Sequence, residues 1–177
     1  MLYLSYFFKQ FHQLQTEHYH YWLEHTLWSL HFWILLFLAT VPWIFWYKYK
    51  KEKGEVRLLL AGGFALVTSA YLDFLGIVLG LWEYKAMLIP TIPAFMPWDI
   101  TLIPVTIMVW IQAFPKWSSL KKGMVYAALV SFVGEPVFIW IDLYNPKMWN
   151  SFYSFPFYVI IYMISHKISG TDRWKHL

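Results

Sequence analysis

Residues 82–99 read WEYKAMLIPTIPAFMPWD. Prolines at 90, 93 and 97 interrupt helix formation, the rings of Trp82, Tyr84 and Trp98 punctuate the stretch, and Glu83 and Asp99 stand near its two ends. Apolar runs flank it on both sides, each close to the roughly 20 helical residues that cross a hydrocarbon core. The stretch therefore reads as a loop that leaves an apolar medium and re-enters it, with aromatic anchors at the boundary.

Composition supports that medium being lipid. The 177 residues are 59% hydrophobic, 23% aromatic and 14% charged, against about 25% charged in soluble domains. A soluble fold of this size lacks the interior to hide so much apolar surface. Cysteine is absent, which excludes disulfides and thiolate metal sites. The net charge of +4 comes from short basic clusters between apolar runs, a pattern of membrane topology rather than of a nucleic-acid face, so no nucleic-acid partner is expected. The first twenty residues lack a charged n-region and a small-residue cleavage site, and we expect the N-terminus to be retained.

Five segments have the apolarity of spans, near 27–46, 56–81, 97–114, 122–141 and 152–168. The expected fold is all-α: a polytopic membrane helix bundle of about five transmembrane helices in one domain. Residues 1–25 form an amphipathic interfacial helix, 26–168 the bundle and 169–177 a cytoplasmic tail. In the first of these Leu4, Phe7, Phe8, Phe11, Leu14, His18, Tyr21 and Trp22 recur at three- and four-residue spacing. Eleven of the fourteen basic residues (Lys48, Lys50, Lys51, Lys53, Arg57, Lys116, Lys121, Lys122, Lys167, Arg173 and Lys175) fall on one side of this arrangement. Lys9, Lys85 and Lys147 fall on the other. The positive-inside rule then puts the N-terminus outside and the C-terminus in the cytoplasm of a multi-pass cell-membrane protein.

With that orientation the acids gather in the outer leaflet. Asp73 lies two-thirds along the second span, Asp99 in the first turn of the third, and Glu135, within Gly-Glu-Pro, in the outer half of the fourth. An isolated carboxylate in lipid costs several kcal/mol unless it is neutral, paired or wetted, so several at one depth suggest an outward-facing polar cavity. Asp73, Asp99 and Glu135 are the candidate catalytic residues. Each has a plain structural alternative: a helix cap for Asp99, and a hydrogen bond to a tyrosine or tryptophan for Asp73 and Glu135. Trp82, Tyr84, Trp98, Gln112, Trp140, Asp142 and Tyr144 are candidate ligand contacts. An aromatic belt, interhelical glue at Gln112 and a helix terminus at Asp142 are their structural readings.

Glu17, His20 and Glu24 share a helix face, but the second Glu-x-x-His of a di-iron bundle is missing, so no metal site and no cofactor are expected. No nucleophile elbow, phosphate loop or dinucleotide fingerprint occurs, and neither Ser69 nor Ser131 has an evident activating histidine.

The elements YLDFLG (71–76), LWEY (81–84), MPWDITLIPV (96–105), GEPVFIWIDLY (134–144) and WNSFYSFPFY (149–158) together resemble a group of small multi-pass membrane proteins of Gram-positive spore-forming bacteria whose activity is unassigned. That resemblance implies an integral membrane protein and supplies no reaction. More faintly, Asp73, Trp82–Tyr84 and Pro97–Asp99 are similar in order to the membrane-embedded lycopene cyclases, which carry an acid in a span, a Trp-x-Tyr-like stretch and Pro-x-Glu-Glu. Here one acid stands where that motif has two. This likeness implies acid catalysis on an isoprenoid-like chain as an analogy.

Three functions follow, in this order. The first is a cavity binding a lipidic or small amphipathic ligand, as a sensor or assembly component would, with membrane lipids and a protein partner or a second copy as its partners. The second is an intramembrane acid–base enzyme on an isoprenoid-like or lipid substrate, with Glu135 as proton donor and Asp73 or Asp99 ionised to stabilise developing cation, which needs two carboxyl groups close together around a closed apolar pocket. The third is a proton- or cation-coupled transporter subunit, which needs a polar path to the cytoplasm where only Gln112, Thr68 and Ser131 are on offer.

Overall fold

The computed structural model describes residues 2–50, 54–91, 94–114 and 116–170. Lys51, Lys53, Pro93, Arg173 and Lys175, and nearly all of the 169–177 tail, lie outside the described residues.

The chain is mostly helical. Helix α1 (Leu2–Tyr21) runs into a π-helical turn, Trp22–Thr26. Helix α2 (Leu30–Tyr49) begins where the Ser29 hydroxyl accepts from the Phe32 N–H at 3.2 Å, and α3 (Glu55–Val78) follows. The loop after α3 carries strand β1 (Trp82–Tyr84), and the π-helical segment Pro97–Leu102 then continues into α4 (Ile103–Gln112). Helix α5 (Ser119–Leu129), the π-helical turn Val130–Gly134 and α6 (Glu135–Trp140) form one continuous rod. Strand β2 (Tyr144–Pro146) precedes α7 (Ser151–Ser169), which Asn150 caps by accepting from the N–H groups of Phe152 and Tyr153 and which stops at Gly170 in the left-handed conformation.

Three helical stretches among the described residues are long and apolar enough to cross a membrane: α2, α3 and Ser119–Trp140. Helices also occupy the other two anticipated positions. The segment through α4 ends early, at Gln112, and α7 carries Ser154, Ser165, His166, Lys167 and Ser169, so neither has the length and apolarity of a span by itself. Helix α1 packs chiefly against the turn that follows it, and Leu4, Phe7, Phe8, Phe11 and Leu14 are exposed. Its junction is tied down by the Trp22 indole, which donates to the Met87 carbonyl at 2.7 Å.

The bundle closes around α3, which packs on α4 and α7, while α5 packs on α7. Small or short side chains recur every four residues along α3, at Ala61, Ala65, Ser69 and Asp73, and all four are buried. Four-residue spacing keeps them on one helix face, and their small size lets neighbouring backbones approach. Asp73 is thus buried because it belongs to the stripe that faces the bundle. Ile103, Ile107 and Met108 of α4 meet Tyr126 and Tyr162 in the same core. Pro104 lacks an N–H and leaves the carbonyl of Ile100 without its usual helical donor. The Trp43 indole of α2 donates to that oxygen at 3.2 Å, and Thr101 donates to the Ala39 carbonyl at 2.9 Å, which fastens the entry of α4 to α2. At the opposite end the buried Lys122 ammonium donates to the Ile111 carbonyl at 3.0 Å, in the last turn of α4 where the helix dipole favours a cation.

Ala65 is fully buried in this packing. Ala65→Leu is expected to overpack the α3 contact and cost about 1–3 kcal/mol, read as a lowered unfolding midpoint in detergent with no change in helicity.

Candidate functional site

The two loops at one end of the bundle are stitched together. β1 and β2 pair antiparallel, Trp82 against Pro146, Glu83 against Asn145 and Tyr84 against Tyr144. The pairing is extended by the Lys85 N–H to the Leu143 carbonyl and by the Lys147 and Met148 N–H groups to Leu81. Lys85 pairs with Asp142, and Lys147 with Glu83 at 2.8 Å, while Asn145 donates to the same Glu83 oxygen at 2.6 Å. Lys147 first, and Asn145 with it, hold the Glu83 carboxyl below the usual glutamate range, so it stays ionised in that contact. The two strands form a lid whose charges are on its outer surface.

Under the lid sits Asp73, with both carboxyl oxygens engaged. Oδ1 accepts from the Trp82 indole at 2.8 Å and the Tyr84 hydroxyl at 2.5 Å, and Oδ2 accepts from the Phe95 N–H at 3.0 Å. That same N–H is 3.1 Å from Asp99 Oδ2, and the two carboxyl groups are within hydrogen-bond reach of each other. A hydrogen bond between two carboxyl groups needs a proton on one of them, because an ionised carboxylate only accepts. Asp99 is not the first residue of its helix, yet its carboxyl group satisfies the N–H of Phe95 at the helix entry. It lies inside the π-helical segment and turns its side chain back to Phe95, while Ser69 donates to its backbone carbonyl at 3.1 Å. Ring stacking of Tyr84 on Phe95, with centroids 4.1 Å apart, fixes the loop that presents the N–H.

Glu135 opens α6 and is buried against α7, with Ser151, Ser154 and Tyr158 within hydrogen-bond reach. Two of those hydroxyls are themselves held by indoles: Trp149 donates to Ser154 at 2.8 Å and Trp98 to Tyr158 at 2.9 Å. Asp73, Asp99 and Glu135 all line one cavity of about 270 Å³, together with Trp82, Tyr84, Trp98 and Tyr144. Burial, with the carboxyl groups of Asp73 and Asp99 beside it, pushes the Tyr84 hydroxyl well above the usual phenol range. Burial also raises Tyr144, next to Glu135 and Asp73. The Tyr84 hydroxyl therefore remains a donor to Asp73 through the alkaline range.

The other sequence candidates lie elsewhere. Gln112 is at the far end of α4, Trp140 is 84% exposed on the outside of α6, and Asp142 sits on the lid surface with Lys85. Among the described residues no three histidine, aspartate or glutamate side chains come together as metal ligands, and Glu17, His20 and Glu24 are no exception. Sequence reasoning missed Phe95, Ser154, Tyr158 and Gly76 as parts of the site. A backbone donor such as Phe95 leaves no mark in residue type. The alternation of hydroxyls and rings in WNSFYSFPFY was the available signal for the α7 contribution.

Comparison with protein-family models, with curated proteins and with solved structures finds no match for this chain.

Gly76 stands one helical turn beyond Asp73, and a Cβ there would lie 1.9 Å from the Trp82 ring. The indole is rigid, and its Nε1, next to the crowded ring edge, is bonded to Asp73, so it has no cheap retreat. Gly76→Ala is expected to displace Trp82, break its bond to Asp73 and cost about 1–3 kcal/mol. A lowered unfolding midpoint together with altered tryptophan emission checks this; unchanged values of both would contradict the packing described.

Proposed function

We propose that the chain is a five-span membrane protein, lid outward and C-terminus in the cytoplasm, whose cavity binds a lipidic or small amphipathic ligand. The observation that carries the reading is the convergence of Asp73, Asp99 and Glu135 on one aromatic-walled cavity at a single end of the bundle. Carboxyl groups used as helix caps or glue alone have no reason to meet around empty space. The lid supports the orientation, since its ion pairs are suited to water and its aromatic underside to the cavity. The resemblance to small multi-pass membrane proteins points the same way.

A second reading, acid–base chemistry on an isoprenoid-like or lipid substrate, is favoured by one observation, the single Phe95 N–H that gathers the carboxyl groups of Asp73 and Asp99. A pair holding one proton beside an apolar cavity has the parts of a general acid, and Asp73, clamped by three donors, is suited to remain the ionised partner. Transport has no such observation in its favour: beyond the cavity the α3–α4–α7 interface is packed with Ile103, Ile107, Met108 and Tyr162.

The absence of cysteine makes sidedness directly testable. Single cysteines at Met148 and Leu14 are expected to react with an impermeant maleimide in intact cells, and cysteines at Lys48 and Lys116 only after permeabilisation. The inverse pattern would reverse the orientation.

Ligand binding is tested by solvent extraction and mass spectrometry of purified protein. A compound that copurifies with the wild type is expected to be lost from the cavity-filling Leu75→Trp variant, and identical extracts would refute the binding reading. Recovery of a chemically different compound from Asp99→Asn than from the wild type would establish the enzyme reading, with a rate loss of about 100-fold or more expected for removing a general acid.

A further inference from the structure

Among the described residues no lysine, arginine or histidine lines the cavity, although three carboxyl groups do. The two lysines of the lid are engaged on its outer face with Asp142 and Glu83. Asp73 is met by an indole, a phenol and a backbone N–H, whereas Glu135, 7% exposed, faces hydroxyls that solvate a charge without neutralising it. Around these groups stand Trp82, Trp98, Tyr144 and Trp149. Aromatic faces attract cations through the ring quadrupole, by about 0.5–2 kcal/mol each according to how dry the site is. Carboxyl groups and ring faces thus favour the same sign of charge, and the rest of the wall is apolar.

The wall also has an exit. Leu79 at the end of α3 and Phe157 on α7 line the cavity, yet they are 64% and 42% exposed. The cavity therefore reaches the protein surface beside these two side chains, apart from the ion pairs of the lid. A ligand that kept a polar head among Glu135, Asp99 and the rings would pass its tail out between these two side chains.

We propose that the ligand is a cationic amphiphile of the alkylammonium class, its head at Glu135 and Asp99 and its tail leaving laterally between Leu79 and Phe157. This rests on the ligand-binding reading above and adds the sign of the head group and the route of entry. The binding needs no co-reactant and forms no covalent bond.

The test uses the full chain in nanodiscs of zwitterionic lipid, with empty discs as reference. Equilibrium dialysis compares dodecyltrimethylammonium, dodecanol and dodecanoate, which share a chain and differ in head-group charge. The ammonium is expected to bind at least about tenfold more tightly than the alcohol, a ratio equivalent to roughly 1.4 kcal/mol, and the carboxylate more weakly than both. Glu135→Gln should remove that preference by lowering ammonium affinity about tenfold and leaving the alcohol unchanged. Leu79→Trp, a change at an exposed position that the fold tolerates, should weaken all three probes by narrowing the exit. Alcohol affinity within threefold of the ammonium would overturn the cationic assignment while leaving the binding reading intact, as would an unaltered preference in a folded Glu135→Gln. Equal binding of all probes by Leu79→Trp and wild type would overturn the lateral route. If none of the three binds above empty discs, the binding reading itself falls, and this inference with it.

Discussion

A carboxylate on the bundle-facing stripe of a long apolar helix is the constraint from which the rest follows. Asp73 is buried where α3 places it, and an unmet carboxylate there would cost several kcal/mol. Its donors must come from elsewhere in the chain. The fold supplies them from the loop between α3 and α4: the Trp82 indole, the Tyr84 hydroxyl and the Phe95 N–H. Those three contacts bend the loop back over the bundle end. Once Trp82 and Tyr84 are held there, their strand is in register to pair with Tyr144–Pro146, which draws in the second loop and the start of α7. The lid is a consequence of solvating one acid.

The same requirement brings Asp99 close. The residue that donates to Asp73 lies four positions before Asp99, one turn of the following helix, so a carboxyl group there is led back to the same N–H. Two acids then share a donor, and the closeness that makes chemistry conceivable is also costly to the fold. Buried ionic and polar clusters are rarely net stabilising, and their retention calls for a reason other than stability. Glu135 reinforces the point, since the hydroxyls of Ser154 and Tyr158 that reach it are each bonded in turn by an indole, Trp149 and Trp98.

Much of this was legible in the chain before any coordinates. Apolar length marked where helices run, and the depth of Asp73, Asp99 and Glu135 along those segments brought three acids to one level. Legibility failed where the partner is backbone or distant. β1 and β2 are three residues each, too short for an alternation pattern, and Glu83 meets Asn145 across 62 positions. The π-helical segments cannot be read from a period tuned to 3.6 residues per turn. Polarity or aromaticity alone groups Gln112, Trp140 and Asp142 with the site, but Gln112 is at the far end of α4, helix rotation turns Trp140 outward, and the ion pair with Lys85 holds Asp142 on the lid surface. Gly76 is the reverse case: a small residue that carries no chemistry, whose missing side chain is the seat of the Trp82 ring.

Using a main-chain N–H at the centre of the site has a consequence for how the sequence can vary. Every amino acid except proline carries that donor, so no exchange at position 95 short of proline deletes it. What heredity can alter there is the ring that stacks on Tyr84, and with it the stiffness of the loop. The acids at 73 and 99 are open to loss by single substitutions, whereas the hydrogen they share is written into the polymer itself. A lineage could therefore retune the pocket's shape through residue 95 many times over while its carboxyl pair kept the same geometry.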